Sequence, residues 1–192
     1  MRFLNPVQMA HSLVSERLAV GDVAIDATAG NGHDTAFLAR LVGGSGRVYA
    51  FDVQQEALES TRTKLVDEEL DSNVRLIQDD HAKMADHLDG GDFGGVGAVM
   101  FNLGYLPGGD KEVITTPSSS LDAVRAALDV IRPGGIVTVV AYVGHPGGQA
   151  EAEALEELIG AELPSGMEAI RYAPLARRGA PYLLSVRRSE GR

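Results

Sequence analysis

The sequence predicts an α/β fold with a doubly wound, mostly parallel seven-stranded sheet that ends in an antiparallel hairpin. Short hydrophobic runs alternate with segments of helical periodicity along most of the chain, which is typical of a parallel sheet covered by helices. A glycine turn, Gly30-Asn-Gly32, joins the first of these runs to a helical segment. The last two apolar runs are separated by the loop Pro174–Pro181, which indicates a hairpin at the sheet edge.

The first elements are predicted from capping and periodicity. Asn5 followed by Pro6 is typical of a helix start, and Val7, His11, Val14 and Leu18 recur at helical spacing. A buried strand over Val23–Thr28 then runs through the glycine turn into a helix over Asp34–Leu41.

The middle of the chain continues the alternation. The predicted elements are, in order, a strand at Arg47–Phe51, a charged helix at Gln55–Glu68, a strand at Val74–Gln78, a short helical piece at Met84–Leu88, the loop Gly90–Gly95 and a strand at Val96–Asn102. The following segment, Gly104–Pro117, is rich in turn residues and long for an inner connection. We therefore expect it to be a functional loop.

The C-terminal part completes the predicted sheet. Its elements are a helix at Leu121–Ile131 capped by Ser118–Ser120, a turn at Arg132–Gly135, a strand at Ile136–Tyr142, a helix at Gln149–Ile159 that is acidic on its outer face, and strands at Glu168–Tyr172 and Tyr182–Arg187. Ligands of such sheets bind beyond the carboxyl ends of the strands. This rule predicts one crevice lined by Gly30, Asp52, Asp79, Asn102 and Tyr142.

Length and composition indicate one globular domain over residues 1–192. The chain is large enough to bury a single core, and its 44% hydrophobic and 23% charged residues are ordinary for a soluble protein. The sequence has neither an apolar run of the ~20 residues that a membrane span needs nor a signal-peptide stretch. Its lack of cysteine excludes disulfides and thiolate metal sites. We expect a cytoplasmic protein without a membrane partner.

The glycine turn predicts a nucleoside cofactor. Gly30, Asn31 and Gly32 are not followed by the third glycine of a dinucleotide fingerprint. Asp26 and Asp34 place two carboxylates around the turn, where they repel a pyrophosphate and attract the sulfonium and ammonium of S-adenosylmethionine. The sign of the charge therefore favours S-adenosylmethionine over NAD, although such a turn alone is also compatible with an ordinary strand–helix connection.

Other residues at strand ends complete the predicted cofactor site. Asp26 is expected near the methionine moiety, and Asp52 is expected to accept both ribose hydroxyls, with Gln54 beside the sugar and adenine. Asp79 can accept a hydrogen bond from the adenine amino group, and His81 lies next to it. A helix cap with a surface turn is the alternative for Asp79 and His81.

Two segments predict an acceptor site. Asn102 lies where many amino-methylating enzymes carry an Asn/Asp-Pro-Pro-Tyr motif, so its side-chain oxygen and the next carbonyl can accept from a target amine, and Tyr105 can stack on a flat base. Tyr142 and His145 follow the fifth strand, and His145 can take a proton. Plain turns are the alternative for both segments. His11 and His87 are interpreted as ordinary helix residues, and no metal site is expected.

The charge distribution is compatible with two interpretations of the C-terminal arginines. A net charge of −10 argues against nucleic acid, yet residues 165–192 hold six arginines against Glu168 and Glu190. These arginines are either the solvated ends of strands or a basic lip that holds a few phosphates.

Four blocks together resemble one bacterial methyltransferase family. They are Ile25-Asp-Ala-Thr-Ala-Gly-Asn-Gly-His-Asp-Thr35, Gln78-Asp-Asp-His81, Phe101-Asn-Leu-Gly-Tyr-Leu-Pro-Gly-Gly-Asp-Lys111 and Tyr142-Val-Gly-His-Pro-Gly-Gly148. The family is labelled "putative rRNA methylase", its studied members act on tRNA, and the likeness runs from about Val7 to Val186.

The resemblance implies a Rossmann-like, class I S-adenosylmethionine-dependent methyltransferase. It implies methylation of the aminomethyl nitrogen on the wobble uridine in the tRNA anticodon loop, by a homodimer. By position, the cofactor site comprises Asp26, Gly30, Asn31, Gly32, Asp52, Gln54, Asp79 and His81, and the acceptor site comprises Asn102, Tyr105, Tyr142 and His145. Alternative hypotheses are an rRNA, small-molecule or protein N-methyltransferase and a non-catalytic S-adenosylmethionine-binding module; the acidic charge favours a substrate other than RNA.

Overall fold

The computed structural model describes residues 3–104, 117–144, 147–175, 177 and 179–191. Within them, seven strands form one sheet in the order β3-β2-β1-β4-β5-β7-β6. The strands are β1 (Val23–Asp26), β2 (Arg47–Asp52), β3 (Val74–Gln78), β4 (Val96–Leu103), β5 (Ile131–Ala141), β6 (Met167–Tyr172) and β7 (Tyr182–Arg188). Strands β1 to β5 pair in parallel, and β7 pairs antiparallel with both β5 and β6. The predicted fold class is confirmed.

Helices cover both faces of this sheet. They are α1 (Pro6–Ser15), α2 (His33–Val42), α3 (Gln55–Asp67), α4 (Met84–His87), α5 (Pro117–Val130) and α6 (Gly148–Glu162). The apolar side chains of α1 and α2 pack with Ala24 and Val48 on one face, while α4, α5 and α6 pack with Ile25 and Tyr49 on the other. Successive strand residues point to opposite faces, so each strand contributes to both layers.

Helix α1 begins as the sequence predicts. Asn5 Oδ1 accepts from the Gln8 N–H at 2.9 Å, and the Gln8 side chain accepts from the Asn5 N–H at 3.0 Å. Pro6 follows at the first helical position, where its missing N–H costs nothing.

Among the described residues, no helix combines the length and apolar character that crossing a bilayer requires.

The start of β5 differs from the prediction. Arg132–Gly135 was expected to be a turn between a helix and a strand, but β5 already begins at Ile131, which pairs with Val96. The next partners along β4 and β5 are Ala98 and Ile136, so the intervening residues form a bulge. The pairing of β4 with β5 thus resumes after a bulge whose sequence resembles that of a turn.

The strand order positions the functional region. β1 lies between β2 and β4, where the direction of strand addition reverses. In open parallel sheets, the crevice at this switch point is where ligands bind, outside the carboxyl ends of the strands. The residues that follow β1, β2 and β4 meet there.

Candidate active site

A tight backbone bend connects β1 to α2. Gly30 and Gly32 have φ of 52° and 76°, in the left-handed region that favours glycine. A Cβ at Gly32 would lie 2.9 Å from the Cα of Thr61, a residue of α3. The Thr61 hydroxyl donates to the Gly30 carbonyl at 3.0 Å. Gly32 is therefore required for packing against α3 as well as for backbone conformation.

Asp52, at the end of β2, holds this bend. Its Oδ2 accepts from the Gly30 N–H and its Oδ1 from the Gln54 N–H, both at 3.0 Å. An ionised carboxylate has about four acceptor positions, so two such bonds leave capacity on both oxygens. The half-buried Asp52 can thus support the bend and still accept from a ligand hydroxyl.

Asp26, the last residue of β1, is completely buried. Its carboxylate accepts from the Thr28 N–H at 3.0 Å and from the Thr35 hydroxyl at 2.6 Å. Burial, followed by the negative charge of Asp34, raises the pKa of Asp26 to about 7. The bond from Thr35 ties the end of β1 to the first turn of α2.

Asp34 connects three elements of the site. It is 7% exposed, and its Oδ1 lies 2.6 Å from His11 Nε2 of α1. Its Oδ2 accepts from Asn102 Nδ2 of β4 at 3.3 Å. The His11 ring stacks on Phe37 with centroids 3.9 Å apart. Sequence reasoning missed His11, since its spacing fits an ordinary helix face and its partner lies 23 residues away.

Asn102 and Tyr142 lie on neighbouring strand ends. The Asn102 N–H donates to the Thr28 hydroxyl at 2.8 Å, which joins the end of β4 to the β1–α2 connection. An added Cβ at Gly104 would lie 3.0 Å from Tyr142 Cδ2, so the ring lies against this glycine. Burial, and then the charge of Asp34, raises the pKa of Tyr142. Its hydroxyl therefore stays protonated at neutral pH.

The carbonyl of Leu103 is already engaged. It accepts from the Tyr142 N–H at 3.2 Å, which continues the pairing of β4 with β5. The sequence suggested this carbonyl as a second acceptor for an amine. With Nδ2 of Asn102 committed to Asp34, Oδ1 of Asn102 is the side-chain atom left to accept.

Asp79 and His81 follow β3. Asp79 accepts from Lys83 at 2.8 Å and lies 2.9 Å from His87 Nε2, and these partners hold its pKa well below the usual range. His81 is 5% exposed and donates from Nδ1 to the Ala27 carbonyl at 2.9 Å. Its buried Nε2 has no hydrogen-bond partner among the described residues.

Apart from Asp79 and His81, which follow β3, the predicted site residues either gather at the glycine bend or lie outside the described residues. Asp26, Gly30, Gly32 and Asp52 build the bend, with Gln54 at its edge, and Asn31 Oδ1 accepts from Ser60 at 3.3 Å. Asn102 joins this group through Thr28 and Asp34, and Tyr142 packs beside it. Tyr105 and His145 lie outside the described residues.

Comparison with known proteins identifies related chains. Residues 48–187 match the family described as "Putative rRNA methylase". A tRNA (mnm5s2U34)-methyltransferase, chloroplastic, from Arabidopsis thaliana is 38% identical over 193 residues, covering 95% of this chain and 69% of its own length.

Solved structures agree with this match. A putative rRNA methylase from Clostridium thermocellum superposes with a TM-score of 0.92 at 37% identity, covering 97% of this chain and 99% of its own. A putative methyltransferase from Streptococcus mutans, in complex with SAH, gives a TM-score of 0.85 at 33% identity with the same coverage.

Proposed function

We propose that this chain, which belongs to the putative rRNA methylase family, methylates the aminomethyl nitrogen of the wobble uridine in tRNA. It is an S-adenosylmethionine-dependent methyltransferase with a class I fold. The tRNA substrate is supported by the Arabidopsis thaliana relative, whose name specifies uridine 34 and whose sequence aligns with 95% of this chain. Family membership implies a homodimer, and the absence of cysteine from the sequence fits a cytoplasmic location.

The residues at the switch point fit the cofactor. A bare backbone bend allows close approach, Asp52 has acceptor capacity for ribose hydroxyls, and the acidic pair Asp26 and Asp34 favours a cation. The buried Nε2 of His81, which has no hydrogen-bond partner among the described residues, offers a further acceptor. When bound, S-adenosylmethionine supplies a methyl group activated by a positively charged sulfur.

Asn102 is the residue that we propose to hold the acceptor amine. Its Oδ1 accepts an amine N–H and so turns the nitrogen lone pair away from the asparagine. The amine must be neutral to react, and a partly dry crevice favours the neutral form because burial lowers the pKa of an amine. Alignment of the two reactants at ~3–3.5 Å supplies several kcal/mol, so a strong base is not required.

Tyr142 serves as a hydrogen-bond donor and an apolar wall in this scheme, since its raised pKa keeps the phenol protonated. The resemblance further implies that Tyr105 stacks on the base and that His145 receives the proton. Asp79 is the least available of the inferred cofactor residues, because Lys83 and His87 already occupy its carboxylate.

One observation carries the proposed chemistry. The Asn102 N–H and the β1–α2 connection are joined by a 2.8 Å hydrogen bond to Thr28, so the amine-binding amide lies directly beside the cofactor bend. Donor and acceptor sites thus share one rigid strand edge, as methyl transfer to nitrogen requires.

Nucleoside analysis of tRNA tests the proposal. In a strain that lacks the protein, aminomethyluridine should accumulate and its methylated product should disappear. The wild-type gene should restore the product, and Asn102→Ala should not. An unchanged tRNA modification profile in the deletion strain would contradict the tRNA assignment.

The net charge of −10 favours a second candidate, an N-methyltransferase for small molecules or proteins. Two C-terminal arginines are neutralised in the structure: Arg187 donates to Glu168 at 2.7 Å, and Arg171 lies 3.2 Å from Glu156. Purified protein with labelled S-adenosylmethionine separates the candidates. Label in tRNA supports the first, label in rRNA or in a metabolite or protein extract supports another substrate, and binding without transfer indicates a non-catalytic module.

A further inference from the structure

We propose that Asp34, held by His11, is a positioning residue that fixes the orientation of the Asn102 amide. The inference rests on the proposed function, because it assigns Asp34 a role through the amine-binding residue. The arrangement links α1, α2 and β4 through Asp34 Oδ1 to His11 Nε2 at 2.6 Å and Oδ2 to Asn102 Nδ2 at 3.3 Å.

The carboxylate removes an ambiguity that every asparagine carries. A side-chain amide presents a donor group and an acceptor oxygen of almost the same shape, and rotation by half a turn exchanges them. An ionised carboxylate only accepts, so it stabilises the rotamer that places Nδ2 against Asp34. The opposite rotamer would bring two acceptor oxygens together at about the same distance. Oδ1 is thereby reserved for the substrate amine.

Asp34 is itself held on both sides. His11 Nε2 donates to its Oδ1, and the His11 ring is fixed by its stack on Phe37, with an interplanar angle of 7°. The next residue of α2, Thr35, donates to the buried Asp26 at 2.6 Å and anchors the first helical turn. The Asn102 backbone is anchored separately by Thr28. The hydrogen bond from Nδ2 to Asp34 then sets the orientation of the Asn102 side-chain amide.

Two other roles for Asp34 make different predictions. If Asp34 acted only through its charge on the cationic cofactor, Asp34→Asn and Asp34→Ala should lose cofactor affinity and activity to the same extent. If Asp34 had a purely structural role, its loss should lower thermal stability and affect every kinetic constant together. A positioning carboxylate acts through an acceptor oxygen, which asparagine retains and alanine lacks.

Kinetics of four variants test the inference. Asp34→Ala should lower kcat/KM for the RNA substrate, measured at saturating cofactor, by ~10- to 100-fold, the equivalent of one charge-assisted hydrogen bond. Asp34→Asn should recover activity to within about threefold, because its Oδ1 can face Asn102 while its amide faces His11. His11→Phe, which keeps the ring stack, should give an intermediate loss. Arg40→Gln, an exposed α2 residue paired with Glu68, is the matched control and should behave as wild type.

A double-mutant cycle decides whether Asp34 acts through Asn102. Adding Asp34→Ala to Asn102→Ala should cause no further loss of kcat/KM, whereas an additive loss would overturn the inference. Full activity of Asp34→Ala beside an inactive Asn102→Ala would overturn it and leave the proposed function intact.

A measurement without turnover separates the two proposals. In NMR spectra, the Asn102 side-chain amide protons should be protected from exchange in the wild type and should lose protection in Asp34→Ala, whichever substrate the enzyme uses. Equal exchange in both proteins would refute the positioning role. Protected amide protons in a protein that does not methylate tRNA would refute only the proposed substrate.

Discussion

Substituting Gly32 by alanine should destabilise the protein by two separable effects. The residue has φ of 76°, and a non-glycine residue in the left-handed region costs roughly 1–2 kcal/mol. The new Cβ would also lie 2.9 Å from Thr61 Cα and 3.1 Å from Thr61 Cγ2. Overpacking of this kind typically costs ~1–3 kcal/mol, and more here because a backbone atom cannot rotate away. The expected total is about 2–5 kcal/mol of the free energy of unfolding.

Gly147→Ala provides a matched control for the backbone effect. Gly147 also precedes a helix in the left-handed region, with φ of 84°, but an added Cβ there meets no described atom within 4 Å. It should therefore cost only ~1–2 kcal/mol. Urea denaturation of both variants at one pH gives the difference directly. Equal destabilisation would refute the claim that Gly32 is required for contact with α3. Cofactor titration should show weaker binding for Gly32→Ala alone, since the bend itself must shift.

Three further predictions concern charge and burial. Because the pKa of Asp26 is raised to about 7 in the folded state, its contribution to stability is present below about pH 4 and is lost as the pH rises to about 7. Denaturation between about pH 5 and pH 8 should therefore show the wild type losing roughly 2–3 kcal/mol of unfolding free energy relative to Asp26→Asn. Parallel pH profiles of the two proteins would disprove this. Ser120→Ala should cost ~1–3 kcal/mol in thermal or urea unfolding, since it removes the 2.5 Å hydrogen bond to the buried Glu151 carboxylate; a neutral effect would mean that Glu151 finds another donor. If the C-terminal arginines hold phosphates, Arg177→Gln should lower the magnitude of the salt slope of tRNA binding by ~0.9. Arg187 is already paired with Glu168, so Arg187→Gln should leave the slope unchanged. Equal slopes in the wild type and both variants would argue against a basic lip.

The fold could be predicted from local patterns because each strand is short, apolar and bounded by turn residues. The exception is instructive. Pro133-Gly-Gly135 is typical of a turn, but these residues form a bulge within β5, with Gly134 at φ of 78°. A Cβ at Gly135 would lie 2.8 Å from the Arg132 carbonyl and 3.0 Å from that of Val96, so the bulge depends on close backbone approach to a neighbouring strand. Such a tertiary condition leaves no periodic signal in the sequence.

The candidate site likewise contains residues that could be predicted from the sequence and contacts that could not. Positions that depend on strand ends and glycine turns, such as Gly32 and Asp52, could be located from sequence because local geometry fixes them. The partners of Asp34 could not, since the contacts with His11 and Asn102 span 23 and 68 residues. Asp79 shows the converse, because its pairing with Lys83 has an i,i+4 spacing visible in the sequence. That spacing was not used in predicting Asp79 as an adenine-binding residue.

The preference for a cationic cofactor takes a subtler form than the sequence suggests. Asp26 is enclosed by protein and engaged by Thr28 and Thr35, so it need not touch a ligand to discriminate between ligands. With its pKa near 7, the carboxyl group is about half ionised at neutral pH. A cation bound nearby lowers that pKa, and linkage requires that ionisation strengthen cation binding by the same free energy. A bound pyrophosphate would raise the pKa of Asp26, and ionisation of Asp26 would in turn weaken pyrophosphate binding. We therefore propose that the acidic pair Asp26 and Asp34 selects the sign of the ligand charge through space, and that Asp52 and the bare bend make the direct contacts.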